Sequence, residues 1–157
     1  EARRRSAELL AAEVQKRADD TSVLAQIVCG DFNSPKGGGN DVYKVLTAKG
    51  TGLVDIFREL PPPSMPLSTI HKFEGIQFAA TAGDGSVDFQ GVGEADDARH
   101  IDWILWRSGP DGPSSPDSIR PRPVESCIIT DCLESGLYPS DHFPMSVKFA
   151  LDDVVRD

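Results

Sequence analysis

The beginning of the chain has the pattern of an amphipathic helix. Apolar residues recur every three or four positions within residues 1–18, so they would form one stripe along a helix. Glu13 and Arg17 stand in the order that favours an i,i+4 ion pair. A second, shorter helix is predicted over residues 40–50, where an Asn-Asp pair can cap the start and a glycine ends it.

Several later segments have the pattern of β-strands. Residues 23–29 are apolar at nearly every position, which is typical of a strand covered on both faces. Residues 100–106 alternate, with a tryptophan and a leucine on one face and an aspartate on the other. Residues 124–130 and 145–151 are predicted to be further strands, and residues 69–75 a compact strand-like segment.

Long loops connect these segments. Residues 83–99 are rich in Gly and Asp, residues 109–123 are rich in Pro and Ser, and an apolar segment at residues 53–60 ends in three prolines. The order of elements predicts an α/β (α+β) layered domain with mixed or antiparallel pairing, because a helix, a strand and a helix are followed by several strands on long loops. This domain would cover residues 1–151, with a tail at residues 152–157.

Composition limits the kinds of partner. The net charge of −9 argues against a strong non-specific grip on nucleic acid, which depends on Lys and Arg. It does not exclude hydrolysis of a phosphodiester through a metal ion, because the cation supplies positive charge locally. No apolar stretch approaches the ~20 residues of a membrane span. The three cysteines have no metal-ligand spacing, and Cys29 and Cys127 are expected to be buried hydrophobes.

Asp31 and Asn33 follow the first predicted strand. In an extended chain, side chains two positions apart project the same way. A carboxylate can orient or deprotonate an attacking water, and an amide NH₂ can donate to a phosphate oxygen. The same sequence is also typical of an Asx-turn with no catalytic meaning, and taken alone it favours the turn.

A second group of polar residues follows later in the chain. Asp102 lies within an apolar strand, where a carboxylate is costly to bury without a partner. Either it faces solvent, or it pairs with His142 and favours the charged imidazole. Asp141 and His142 lie between Pro139 and Pro144 and suit a hard divalent cation and a phosphate oxygen, respectively. An ordinary polar turn is the alternative, but the joint occurrence of these motifs favours a site.

In combination these segments resemble the endonuclease/exonuclease/phosphatase superfamily, the metal-dependent fold of DNase I-like nucleases, apurinic endonucleases, deadenylases and inositol-phosphate phosphatases. The matches to its last three signature blocks are Gly30-Asp31-Phe32-Asn33, Ile101-Asp102-Trp103-Ile104 and Ser140-Asp141-His142. Residues 69–75 and 138–144 are similar to a microbial branch. The resemblance covers residues 1–151 and implies part of a four-layer α/β sandwich of the DNase I-like type.

The resemblance also implies that the N-terminal half of the domain is missing. That half carries an early Asn, a metal-binding Glu and a His-x-Asp block, none of which occurs here. The start at Glu1 agrees with this expectation, although a processed chain would also begin without Met. A sheet left uncovered in this way predicts poor solubility or association of the chain alone.

The resemblance implies catalytic roles for four residues. Asp31 would position and activate the water, and Asn33 would contact the phosphate. Asp102 would orient His142, and His142 would stabilise charge on the transition state. This division fits phosphoester hydrolysis, which depends mostly on positioning and on neutralising charge.

The remaining implied roles concern the metal and the substrate. Asp141 would help to hold Mg²⁺, or Mn²⁺ in its place. Arg99 and His71 are secondary candidates for phosphate contact, and His71 by itself is more typical of a surface histidine. The implied activity is hydrolysis of a phosphoester, with a nucleic-acid phosphodiester first. A phosphomonoesterase on a sugar, inositol or lipid phosphate, and a catalytically dead binding module, are the alternatives. No obligate protein partner or compartment is indicated.

Overall fold

A computed structural model of the chain describes residues 1–36, 41–61, 68–75, 100–110 and 119–153. The candidate phosphate contact Arg99 and the predicted loop that precedes it lie outside these residues. Within the described part, no helix combines the length and the apolar character that crossing a bilayer requires.

Three helices and five strands form the described fold. In chain order they are α1 (Ala2–Lys16), β1 (Ala25–Asp31), α2 (Asp41–Leu46), β2 (Val54–Asp55), α3 (Ile56–Glu59), β3 (Asp102–Ser108), β4 (Ile119–Ile128) and β5 (Met145–Asp153). One sheet has the order β1-β3-β2 and the other pairs β4 with β5, and all pairings are antiparallel. This confirms the predicted mixture of helices and antiparallel strands.

The central strand β3 separates two apolar cores, as its alternating pattern predicts. Trp103 and Leu105 are fully buried in the helix-side core, under α1 and α2. Ile104 and Trp106 point the other way and pack against the sheet-side core, which includes residues of β4, α3 and the segment before β5. The helix-side core comprises Ala7, Val14, Val42, Tyr43, Leu46, Leu53, Trp103 and Leu105, and the sheet-side core comprises Ile56, Phe57, Ile128 and Phe143.

Strand β1 is not covered on both faces, which corrects the prediction made for residues 23–29. Its register on β3 sends Val28 to the helix-side core and places Ile27 and Cys29 on the opposite face. There Ile27 is 50% exposed and Cys29 is also exposed, because the β4–β5 sheet covers β3 but does not extend over β1. Cys127 is exposed as well, since alternation in β4 turns Ser126 and Ile128 inward instead.

Three local predictions are also corrected. Glu13 pairs with Lys16 rather than with Arg17, because α1 ends at Lys16 and Arg17 takes a non-helical conformation. Strand β4 begins at Ile119, within the predicted loop, although it contains two prolines. Proline is tolerated here because β4 pairs on only one side with a described strand. The segment at residues 69–75 forms turns and a single β-bridge rather than a strand.

Candidate functional site

Two aspartates meet at one end of the β1–β3 ladder. Asp31 and Asp102 are direct cross-strand partners, and the amide of Phe32 donates to the carbonyl of Ile101 at the next position (2.8 Å). Hydrogen-bonded and non-hydrogen-bonded pairs alternate, so Asp31 and Asp102 form a non-hydrogen-bonded pair, in which side chains approach closely on one face. Like charges directly opposite each other are unfavourable. This sheet end therefore favours a neighbouring positive charge.

His142 supplies such a group. Its Nδ1 lies 2.9 Å from Oδ2 of Asp102, and because a carboxylate only accepts, Nδ1–H is the donor. Both side chains are half-buried. Burial lowers the pKa of His142, but the hydrogen bond to Asp102 and the charges of Asp102, Asp141 and Asp31 outweigh it, so the pKa is raised above its ordinary value. The pairing inferred from the sequence is present in the structure.

Asp31 and Asn33 form the Asx-turn that the sequence left open. The Asn33 amide N–H donates to Oδ1 of Asp31 (2.7 Å), and its side-chain NH₂ donates to Oδ2 (3.0 Å). Asn33 has a φ of 48°, in the left-handed region that Asn tolerates better than most residues. Carboxylate oxygens have lone pairs for further donors, so Asp31 can still accept from water. The side-chain NH₂ of Asn33 carries a second N–H, so it can donate to a phosphate without losing its bond to Asp31.

The loop that carries Asp141 and His142 is held by backbone bonds. The carbonyl of Asp141 accepts from the amides of His71 (2.7 Å) and Lys72 (3.2 Å), and Ile70 forms a β-bridge with His142. The amide of His142 also donates to Oγ of Ser140 (3.1 Å). Asp141 is thus positioned through its main chain, with its carboxylate near enough to His142 to raise the pKa of the imidazole.

His71 is fully buried, so the expectation of a surface histidine is wrong. Its ring stacks on Phe143 with centroids 4.0 Å apart and lies tilted against Tyr138 at 4.5 Å. Nδ1 accepts from the amide of Gly75 (3.2 Å). Burial lowers the pKa of His71, against smaller opposing effects of the His142 backbone and the Asp141 charge. In this structure His71 is a neutral packing residue behind the Asp141–His142 loop, and its phosphate contact stays a prediction.

A cavity of ≈ 370 Å³ lies over these groups, within the size range of small-ligand pockets. Asp31, Asp102, Ser140 and His142 line its polar side. Sequence reasoning missed Ser140 as a separate contributor, although a serine two residues before a loop histidine is a recognisable turn signal. The cavity brings together a carboxylate able to accept from water and a histidine that, when protonated, can donate from Nε2 to an anion.

The donors near the cavity suit a hard cation only in part. Among the residues that the structure describes, no three His, Cys, Asp or Glu side chains are arranged as ligands of one metal ion. Carboxylate oxygens are nevertheless the ligands that Mg²⁺ takes, and it often uses only one or two, with water completing the shell. A single carboxylate such as that of Asp141 therefore suits one position in a magnesium shell, but the described residues alone do not form a three-ligand site.

Comparison with known proteins supports the fold. The structure is similar to the crystal structure of an endonuclease/exonuclease/phosphatase family protein from Bacteroides thetaiotaomicron, with a TM-score of 0.55 and 20% sequence identity. The match covers 95% of this chain and 46% of that chain, so this chain spans less than half of its length. No protein-family model and no curated protein matches the sequence. The resemblance read from the sequence is confirmed as a likeness of fold.

Proposed function

We propose, on the premise of this shared fold, that the chain carries part of the active site of a phosphoester hydrolase. The observation that supports the proposal is the convergence of Asp31, Asp102 and His142 on one cavity. These residues are far apart in sequence, and ordinary turn chemistry would not require them to meet.

The proposed mechanism assigns each group a task that its geometry permits. In its protonated form, which Asp102 favours, His142 donates from Nε2–H to a phosphate oxygen on which negative charge grows. Such preorganised donors stabilise the transition state because they need not reorient during the reaction. Asp31 accepts a proton or a hydrogen bond from the attacking water, and general-base assistance of this kind contributes about 10²–10⁴-fold.

A divalent cation completes the proposal. We assign Asp141 as one ligand of Mg²⁺, or of Mn²⁺ in its place. When bound, such an ion polarises the phosphoryl group and stabilises the leaving oxygen. The paired carboxylates of Asp31 and Asp102 add negative potential close to that position, which favours a cation there.

We also propose that the remaining ligands come from a part of the fold outside this chain. The match to less than half of the related structure and the exposed face of β1 support this view. The chain alone is then inactive and associates through its uncovered sheet. Sedimentation and thermal unfolding test this expectation: a monomer with a cooperative melt would contradict it.

For the substrate we propose a phosphodiester of the nucleic-acid type. The net charge of −9 makes strong contact with a long polyanion unfavourable, so a phosphomonoesterase acting on a small phosphate is the second candidate. Assays of the longer parent protein with Mg²⁺ or Mn²⁺ separate the two activities. A phosphodiesterase would hydrolyse bis(p-nitrophenyl) phosphate, and a phosphomonoesterase would hydrolyse p-nitrophenyl phosphate. A binding module without catalysis would hydrolyse neither.

Two substitutions test the assigned residues. Asp31→Ala and His142→Ala should each lower kcat by about 10²–10⁴-fold, because each removes a group that acts on the proton or the charge of the transition state. Asp131→Ala, which removes an exposed carboxylate of another loop, is the matched control and should leave kcat unchanged. Full turnover by the Asp31→Ala or His142→Ala variant would refute the site.

A further inference from the structure

Asp102 and His142 belong to different segments, and one residue contacts the main chain of Asp102 and that of Phe143, the neighbour of His142. Thr69 is fully buried. Its Oγ1 accepts from the amides of Ile101 (3.2 Å) and Asp102 (3.4 Å). Its carbonyl oxygen accepts from the amide of Phe143 (2.8 Å), directly after His142.

The position of Asp102 in the sheet explains why it needs such a partner. Asp102 forms a non-hydrogen-bonded pair with Asp31, so its amide points away from β1. On that side β2 pairs with β3 only at Leu105 and Trp106 and does not extend to Asp102. A buried amide without an acceptor is unfavourable. The hydroxyl of Thr69 takes the place that a longer neighbouring strand would have filled.

We propose that Thr69 is a positioning residue that sets the distance between Asp102 and His142. Its two acceptors are separated by a few covalent bonds, and β-branching restricts χ1 of threonine, so Oγ1 is held relative to the carbonyl. One rigid residue therefore spans from the backbone of Asp102 to the backbone beside His142. The inference rests on the proposed function only in taking His142 as a reacting group.

The choice of threonine at this position follows from the contacts. Valine has the same shape but no acceptor, so Thr69→Val would leave the amides of Ile101 and Asp102 without Oγ1. Serine keeps the acceptor but loses the methyl group that restricts χ1. Thr69→Ser should therefore lie between the native chain and Thr69→Val in every measurement.

The test reads the ring of His142 directly. In long-range ¹H–¹⁵N spectra at a pH where the imidazole is neutral, the native chain should hold its ring proton on Nδ1, facing Asp102. Thr69→Val should lose this single tautomer and show a mixture. Only three histidines are present, so the signals can be assigned by substitution.

The control is a second buried threonine far from the site. Thr51 is 1% exposed. Its hydroxyl donates to the carbonyl of Leu46 (2.7 Å) and accepts from the amide of Leu53 (3.2 Å). Thr51→Val should lower stability in the same way as Thr69→Val but leave the His142 tautomer unchanged. An unchanged tautomer in Thr69→Val, or an equal change in Thr51→Val, would overturn the proposal.

Two further measurements keep the outcome decisive. If Thr69→Val does not fold, hydrogen exchange of the native chain decides: the Asp102 amide should be protected, and fast exchange there would overturn the proposal. In the active parent protein, Thr69→Val should lower kcat by up to about 100-fold with little change in KM, as expected for misplacement of a reacting group. A changed tautomer without any hydrolase activity would support the positioning role and refute the proposed function instead.

Discussion

A buried ion pair joins the segment after Asn33 to strand β2, and its removal should cost more stability than the removal of an exposed pair. Nζ of Lys36 is 2.7 Å from Oδ2 of Asp55, and both side chains are 1% exposed. The Asp55 carboxylate also accepts from the hydroxyl of Tyr43 (3.1 Å) and from the amide of Phe57 (3.0 Å). The pair thereby fixes the segment that follows Asn33 against α2 and α3.

The substitution Lys36→Met keeps the length and apolar stem of the side chain and removes its charge. Breaking a buried pair from one side costs about 3–5 kcal/mol, because the partner charge stays buried. Two donors still serve Asp55, so we expect the lower end, about 3 kcal/mol. This is a large share of the ~5–15 kcal/mol by which typical domains are stable.

The matched control is the same change at an exposed pair. Lys148 lies 4.0 Å from Glu125, and the two side chains are 73% and 66% exposed. Lys148→Met should change the free energy of unfolding by about 0–1 kcal/mol, as is usual for surface pairs. Urea denaturation followed by tryptophan fluorescence measures both variants. Equal losses in the two, or a loss of less than about 1 kcal/mol in Lys36→Met, would refute the reasoning.

A double substitution separates loss of charge from loss of packing. Asp55→Asn removes the negative charge but keeps an oxygen that can accept from Phe57. Lys36→Met combined with Asp55→Asn should therefore cost less than the sum of the two single changes, since no unpaired charge remains. Strict additivity would mean that the charges do not interact.

Two further predictions concern the site itself. The pKa of His142 is raised in the folded protein, so its protonated ring stabilises the fold. This contribution to stability should be full below pH ~6.5, the ordinary pKa of histidine, and should be lost as the pH rises through the folded-state pKa. An NMR titration in buffer that contains a chelator measures the folded-state pKa of His142 in the native chain and in Asp102→Asn. A native pKa at or below the ordinary value, or an equal pKa in the two proteins, would contradict this prediction. Gly75 has a φ of 74°, and an added Cβ would overlap Tyr138, so Gly75→Ala should cost about 2–4 kcal/mol. Gly136 has a φ of 78° and open space around it, so Gly136→Ala should lower the free energy of unfolding by only about 1–2 kcal/mol. Equal losses in the two variants, measured by urea denaturation, would contradict the predicted overlap with Tyr138.

Local pattern predicted the faces of β3, and the sequence motifs pointed to the contact between Asp102 and His142. Alternation along β3 places Trp103 and Leu105 together and Asp102 on the other face, and the structure has this arrangement. The cost of burying an unpaired carboxylate left two possibilities for Asp102, exposure to solvent or pairing with His142, and the joint occurrence of the motifs favoured the pairing that the structure has. The first inference depends only on strand geometry, and the second depends on the chemistry of a carboxylate together with the other motifs of the chain.

Other features depend on contacts between distant segments and were not predictable in this way. Apolar residues at Ile27 and Cys29 suggest burial, but whether they are covered depends on which element lies above them. The burial of His71 results from packing on Phe143, which lies more than seventy residues later in the sequence. The acceptor role of Thr69 arises because β2 is short, which no property of Thr69 itself indicates.

The opposed carboxylates of Asp31 and Asp102 link the protein to the salt around it. Folding brings two negative charges together that are far apart in the unfolded chain. A cation bound beside them would favour the folded form over the unfolded one, and would so raise the melting temperature. Ionic composition would thus act on folding even when no substrate is present, through a single pair of residues at the end of one ladder.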